Sequence, residues 1–272
     1  MIYLIYCIFL YLKASQKTFK YLNYEEIWKI FENLSKNCSQ YVKIDTSQNR
    51  YGLPSAGKCG EKGDKPCENL IVFLTDFETL DPSRPQVYFS GLVHGDEVIG
   101  ATVLTEFAQY LCDKNTPKLL WVHELLKKTY IVMTPFTNAY GYSNNRREDY
   151  VEYNNGKVGY EDPNRDFPYF NSMNSITKDC MKTIAARTVN ELFREHIFIN
   201  VITFHGGINA IGYPWGNYVH LINNQKSKAA PDYIAAKEVG ELMKFYSSSS
   251  LKSNNITDYW IGDMVEMVIN SI

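Results

Sequence analysis

Apolar positions recur in two rhythms along this chain. In NYEEIWKIFENLSKNC, Ile27, Ile30, Phe31 and Leu34 fall at helical spacing behind Asn23, a residue type that caps helix N-termini. EVIGATVLTEFAQYLC repeats that spacing, with Val98, Ala101, Leu104, Phe107 and Ala108 facing inward. PKLLWVHELLKK, CMKTIAARTVNELFREH and APDYIAAKEVGELMKFY read as further helices. Between them stand short β-rich runs, NLIVFLTDF, QVYFSGLVH, TYIVMTPF and IFINVITFH. Residues 137–174, rich in Asn, Tyr, Gly and Arg, read as one long loop, and residues 247–250 with LKSNN as a flexible one. Strands alternating with helices predict an α/β fold, its sheet largely parallel and covered by helices on both faces.

Bulk composition narrows the partners. The 272 residues are 45% hydrophobic, enough for one large domain or two small ones. A net charge of −2 offers no basic field for nucleic acid or for an acidic membrane surface. Residues 2–12 form an apolar run too short to span a bilayer, and residues 1–15 read as a signal peptide cleaved near Ala14 or Ser15. No Lys or Arg precedes that run, so a buried first strand is the competing reading. Cleavage would leave Cys38, Cys59, Cys67, Cys112 and Cys180, of which Cys59 and Cys67 flank a loop that a short disulfide would staple. No CxxC occurs, which argues against a cysteine zinc site. Asn-X-Ser/Thr sequons at Asn33, Asn37 and Asn255 agree with secretion.

The chemistry gathers at strand ends. GLVHGDEVIG closes one β run with His94 and Glu97 separated by two residues before a helix. Such a group serves as metal ligands, an acid/base pair or a polar turn. On a strand-to-helix turn both side chains can share a cation, and zinc accepts His nitrogen and Glu oxygen. His205, closing another β run and followed by Gly206-Gly207, is the candidate third ligand. In open α/β sheets ligands bind at the carboxyl ends of strands, where both histidines fall. Between them, DPNRDFPY offers Asn164 and Arg165 as a planar fork for a carboxylate, or as a structural pair in a polar loop. Asp162 could accept the second-ring N–H of a zinc-bound His. His123, His196 and His220 read as structural.

The ordered series HGDE, TNAYGY, DPNRDF and FHGGINAIGYPWG resembles the zinc carboxypeptidases of the carboxypeptidase A-like (funnelin) family. The resemblance implies a mixed, largely parallel central sheet and one Zn2+ per chain, bound by His94, Glu97 and His205. It implies Asn164 and Arg165 on the terminal carboxylate of a peptide, with Asp162 behind the metal. It also implies an oxyanion-holding arginine, Arg147 by spacing or Arg146 beside it. The expected activity is removal of single C-terminal residues from peptides, by a protein secreted or held in a lumen or vacuole. No membrane span and no nucleic-acid partner are expected, and the protein is expected to be a monomer.

The sequence also departs from that family. Asn138-Ala139-Tyr140-Gly141 replaces an Asn-Pro-Asp-Gly-like turn, and Asp166 replaces a commoner Asn. The family's general-base Glu, carried far downstream, is not found. Glu266 reads as part of a preceding helix or turn, and the last strand and helix look missing from a domain running over 16–272. Two alternatives follow: a non-catalytic zinc and carboxylate-binding module, or an amidase of the same zinc geometry acting on non-standard amides.

Overall fold

Asn23 opens the first helix, α1 (Tyr24–Asn37), through a reciprocal capping box. Its side chain accepts from the Glu26 N–H and the Glu26 carboxylate accepts from the Asn23 N–H, each at 2.9 Å. The computed structural model describes residues 20–112, 120–168, 180–216, 220–222, 226–251 and 260–264. The expected signal segment, Glu266 and Asn255 lie outside these residues.

Five strands form the sheet: β1 (Val42–Thr46), β2 (Leu70–Leu74), β3 (Gln86–Ser90), β4 (Tyr130–Thr134) and β5 (Phe198–Thr203), in the order β1-β2-β4-β3-β5. β3 pairs in parallel with β4 and β5, whereas β2 runs antiparallel to both β1 and β4. The sheet is therefore mixed, with its parallel half where the motif-bearing strands lie. β1 escaped the pattern reading because only Val42 of its five residues is fully buried.

Alternation along β2 places helices on both faces. Leu70, Val72 and Leu74 pack with residues of α1, α2 (Ile99–Cys112) and α3 (Leu120–Lys128). Ile71 and Phe73 point the other way, into a cluster with Leu192 of α4 (Ile184–Glu195). All five β2 residues are buried, which is why that run is continuously apolar.

Residues 137–174 are not one loop. They contain a helical turn, Ala139–Ser143, and a hairpin pairing Asp149–Glu152 with Val158–Glu161. Asn154-Asn155-Gly156 closes the hairpin with Gly156 at φ 73° and its N–H donating to the Tyr153 carbonyl. The buried Asp149 carboxylate accepts from the Ala185 N–H of α4 at 3.1 Å.

Two disulfides staple this unit. Cys59–Cys67 closes the expected short loop, and Cys38–Cys112 joins the ends of α1 and α2 across 74 residues. Among the described cysteines only Cys180, which is buried, stays a thiol.

The chain divides into two compact units, residues 1–169 with 173–206, and residues 170–172 with 207–272. In the second unit Ala210–Tyr213 pairs in parallel with Trp260–Asp263. A helix there, Tyr233–Leu251, faces this pair at Gly240, where an added Cβ would stand 3.5 and 3.6 Å from the side chains of Ile211 and Ile261. That helix runs through residues 247–250, which the composition suggested were loop; serine weakens a helix without breaking it. Among the described residues no helix is long and apolar enough to cross a membrane.

Candidate metal centre

β3 and β5 run side by side in parallel, so their carboxyl ends deliver His94 and His205 to one place. The register pairs Ser90 with Thr203, and the Phe204 N–H donates to the Ser90 carbonyl at 2.8 Å. The two imidazole centroids lie 5.0 Å apart. Glu97 stands between them. Its Oε1 is 2.8 Å from Nδ1 of His94 and its Oε2 is 2.7 Å from Nδ1 of His205. The Gly206 N–H gives the carboxylate a third partner, donating to Oε2 at 3.0 Å.

His94 can reach this position only because its neighbour has no side chain. A Cβ on Gly95 would stand 2.1 Å from the Gly141 carbonyl carbon and 2.4 Å from both the Arg146 oxygen and the Tyr142 nitrogen. The second motif thus buttresses the first. Buried Asn138 accepts from the Gly141 N–H at 2.7 Å and donates to the Arg147 carbonyl, which also receives the Gly95 N–H. Asn138 and Gly141 make these contacts, while Ala139 and Tyr140 fill the positions where the family pattern differs. Gly206 leaves room for Glu97, whose Cβ lies 3.2 Å from where a Cβ would be.

Behind His94 sits Asp162. Its Oδ1 lies 3.0 Å from Nε2 of His94 and accepts the Asn164 N–H at 2.8 Å. Its Oδ2 accepts from Nε and Nη2 of Arg147, at 3.2 and 3.1 Å. Nη2 of Arg147 also lies 2.9 Å from the same His94 nitrogen. One ring nitrogen cannot both donate to a carboxylate and accept from a guanidinium. With a cation on Nδ1 the ring proton would reside on Nε2, which would donate it in a hydrogen bond to Asp162. Arg147 further reaches Oε1 of Glu97 at 3.4 Å. Arg146 turns away, its guanidinium 3.7 Å over the Tyr160 ring.

The electrostatics keep both carboxylates charged. Burial pushes the Glu97 carboxyl up, but hydrogen bonds from His205, His94 and the Gly206 N–H outweigh it and hold it well below the usual range. Asp162 behaves alike: burial raises it, and the His94 charge, the Asn164 N–H and Arg147 bring it down. Two imidazole nitrogens and one ionised carboxylate, within 4.8 Å of one another, form a donor set that suits zinc with a position left open. Asn164 and Arg165 are exposed on a tight turn, Pro163–Arg165, and the Arg165 guanidinium donates to the Asn164 carbonyl. Asp166 is buried at the end of that turn and holds Thr183, the N-cap of α4, by accepting from its N–H and hydroxyl at 2.7 and 2.9 Å.

A zinc carboxypeptidase family model matches residues 34–264. The chain belongs to the zinc carboxypeptidase family. Among curated relatives of this family, carboxypeptidase SOL1 of Arabidopsis thaliana is 23% identical over 196 residues, 72% of this chain and 35% of that protein. Carboxypeptidase M of Mus musculus is 28% identical over 153 residues, 54% of this chain and 33% of that protein. The chain thus spans about a third of these two relatives. Of solved structures, carboxypeptidase A from Helicoverpa armigera superposes with a TM-score of 0.68 at 16% identity, over 90% of this chain and 58% of that one. Thrombin-activatable fibrinolysis inhibitor gives 0.65 at 15% identity, over 91% and 60%. These likenesses establish the carboxypeptidase fold.

The remaining histidines make contacts of their own. Nδ1 of His123 faces the Tyr41 hydroxyl at 3.4 Å, Nδ1 of His196 faces the Gln86 side-chain oxygen at 2.7 Å, and His220 stacks on Trp215. The pattern reading missed the demand for glycine at 95, because no local signal reports that another loop's backbone will pass there.

Proposed function

We propose that this protein is a zinc metallocarboxypeptidase that removes single C-terminal residues from peptides. Residues 16–272 would be its catalytic domain, entering a secretory or vacuolar lumen behind a signal segment at 1–15. The convergence of the His94 and His205 Nδ1 atoms on the Glu97 carboxylate carries this reading, and family membership gives it a chemistry. His94, Glu97 and His205 would hold one Zn2+. Zinc supplies Lewis acidity and lowers the pKa of water. Asp162 keeps the proton of His94 on Nε2 and so keeps Nδ1 available as a donor. Arg147, which contacts both Asp162 and Glu97, would hold a carbonyl oxygen as charge develops on it. Asn164 and Arg165, exposed on their turn, present an amide and a guanidinium to a terminal carboxylate. The two disulfides agree with folding in an oxidising compartment.

One observation favours a second reading. The two carboxylates in contact with the imidazoles are both engaged, Glu97 by His94, His205 and Gly206, and Asp162 by His94, Asn164 and Arg147. Neither can also serve as general base, a role that geometry must satisfy first. A module that binds zinc and a terminal carboxylate without cutting is consistent with this. Elemental analysis of the purified protein, followed by a panel of peptides with free and amidated C-termini, separates the readings. One zinc per chain with release of the last residue from free-carboxyl peptides alone supports the peptidase. Zinc without turnover supports the binding module, and turnover of non-peptide amides alone an amidase. Absence of zinc overturns all three.

A further inference from the structure

Two of the three sequons lie on one described surface. Asn33 and Asn37 are both exposed on α1, one helical turn apart, while Tyr24, Ile27 and Phe31 of the same helix are buried. Neither amide side chain has a hydrogen-bond partner among the described residues. We propose that Asn33 carries an N-linked glycan.

The substrate pattern is Asn33-Leu34-Ser35, with a non-proline middle residue. A second, independent observation places the chain where such glycans are made. Cys38–Cys112 and Cys59–Cys67 bring their Cα atoms to 6.0 and 4.8 Å and are joined as disulfides, which form and persist in oxidising compartments. Transfer must precede folding, because in the folded helix the Ser35 hydroxyl is engaged by the Glu32 carbonyl. A helix of 14 residues is marginal until its apolar face is packed, so the nascent segment stays open to the transferase. In the step itself, Nδ2 of Asn33 attacks the anomeric carbon of a lipid-linked oligosaccharide diphosphate. The Nδ2–C bond forms, the C–O bond to the diphosphate breaks, and the amide loses one proton as the lipid diphosphate leaves.

Two features choose Asn33 over Asn37. Asn33 emerges first, and residues at i and i+4 have Cβ atoms only ~6 Å apart, too close for two bulky glycans. Asn37 is also followed directly by Cys38, which must close on Cys112, and it lines the small hollow around that disulfide with Ser39, Tyr41 and His123.

The glycan would lie far from the metal centre. α2 begins at Ile99, two residues after Glu97, and runs 14 residues to Cys112, a length of ~20 Å. The disulfide then ties Cys112 to the end of α1 that bears the acceptor.

The test is glycopeptide mapping of the full chain, isolated with its disulfides from a eukaryotic secretory host and treated with an amidase that releases N-glycans and leaves Asp. Conversion at Asn33, lost in Asn33→Gln and in Ser35→Ala and retained in Asn37→Gln, is expected, with zinc content unchanged throughout. Conversion at Asn37 alone, or no conversion at either residue in protein whose four cysteines are paired, overturns the proposal. Ser35→Ala keeps Asn33 itself and guards against a folding defect from the larger amide.

Discussion

Replacing Gly95 by alanine is the sharpest perturbation this site offers. The new methyl would have to move from 2.1 Å to the 3.4 Å at which ordinary contact begins, a displacement of about 1.3 Å. Backbone atoms of Gly141, Arg146 and Tyr142 block it, so no side-chain rotation relieves the clash. Overpacking of this kind costs ~1–3 kcal/mol and lowers Tm by several degrees. The larger effect falls on the metal. His94 and Glu97 flank Gly95, whereas His205 belongs to another strand, so the shift separates the ligands. Metal sites tolerate departures of only ~0.2 Å in ligand distance. Zinc affinity, read by competition with a chromophoric chelator, should therefore fall by roughly 100-fold or more, the order seen for misplacements of ~1 Å in reacting geometry. Gly95→Ala protein that binds zinc as tightly as the parent would refute the reasoning, because the loop would then have room that the structure denies it.

Other outcomes follow from the same coordinates. Asp162→Asn should weaken zinc binding by ~10–100-fold with little loss of fold, since it removes the acceptor that fixes His94; isothermal titration with zinc checks it. Asp166→Ala removes the acceptor that holds Thr183, the N-cap of α4, and frees the end of the Asn164–Arg165 turn, so urea unfolding should show a loss of ~1–2 kcal/mol and KM should rise more than kcat falls. Replacing Cys38 and Cys112 together by serine should cost ~4 kcal/mol, more than the ~2–3 kcal/mol for the short Cys59–Cys67 loop, as measured by urea midpoints. Hydrogen bonding from Arg50, opposed by burial and aided by Tyr51, lowers the Glu195 carboxyl to about 2. A lowered acid contributes stability that is full above its unfolded pKa of ~4.3 and is lost as pH falls toward about 2. Glu195→Gln should remove ~1 kcal/mol of that acid-side slope between pH 5 and pH 2, after allowance for partial exposure.

Much of this was legible from the chain because its causes are local. The spacing of Ile27, Phe31, Ala101, Leu104 and Ala108 reports burial on a helix face, and the all-apolar β2 run reports a strand covered on both sides. His94 and His205 could be brought together in advance because each closes a β run, and strand ends in such sheets converge. What stayed hidden depends on meetings between distant segments. Arg146 and Arg147 are adjacent in sequence, and only the hairpin, which gives Arg146 the Tyr160 ring, decides which one turns to the metal side. Cys38 and Cys112 look unrelated until α1 and α2 lie together. The antiparallel β1 and β2 carry no mark of direction, since the residues that bury a strand are the same whichever way it runs.

The order of the sheet gives the three ligands unequal mechanical support. His94 and Glu97 follow β3, which is hydrogen-bonded on both flanks, whereas His205 follows β5, which among the described residues is paired on one flank and leaves Ile199 and Val201 exposed. Strands held on a single flank open at lower free energy than those inside a sheet. The two ligands nearest in sequence thus share the strand with two described partners, and the distant one rests on a strand with one.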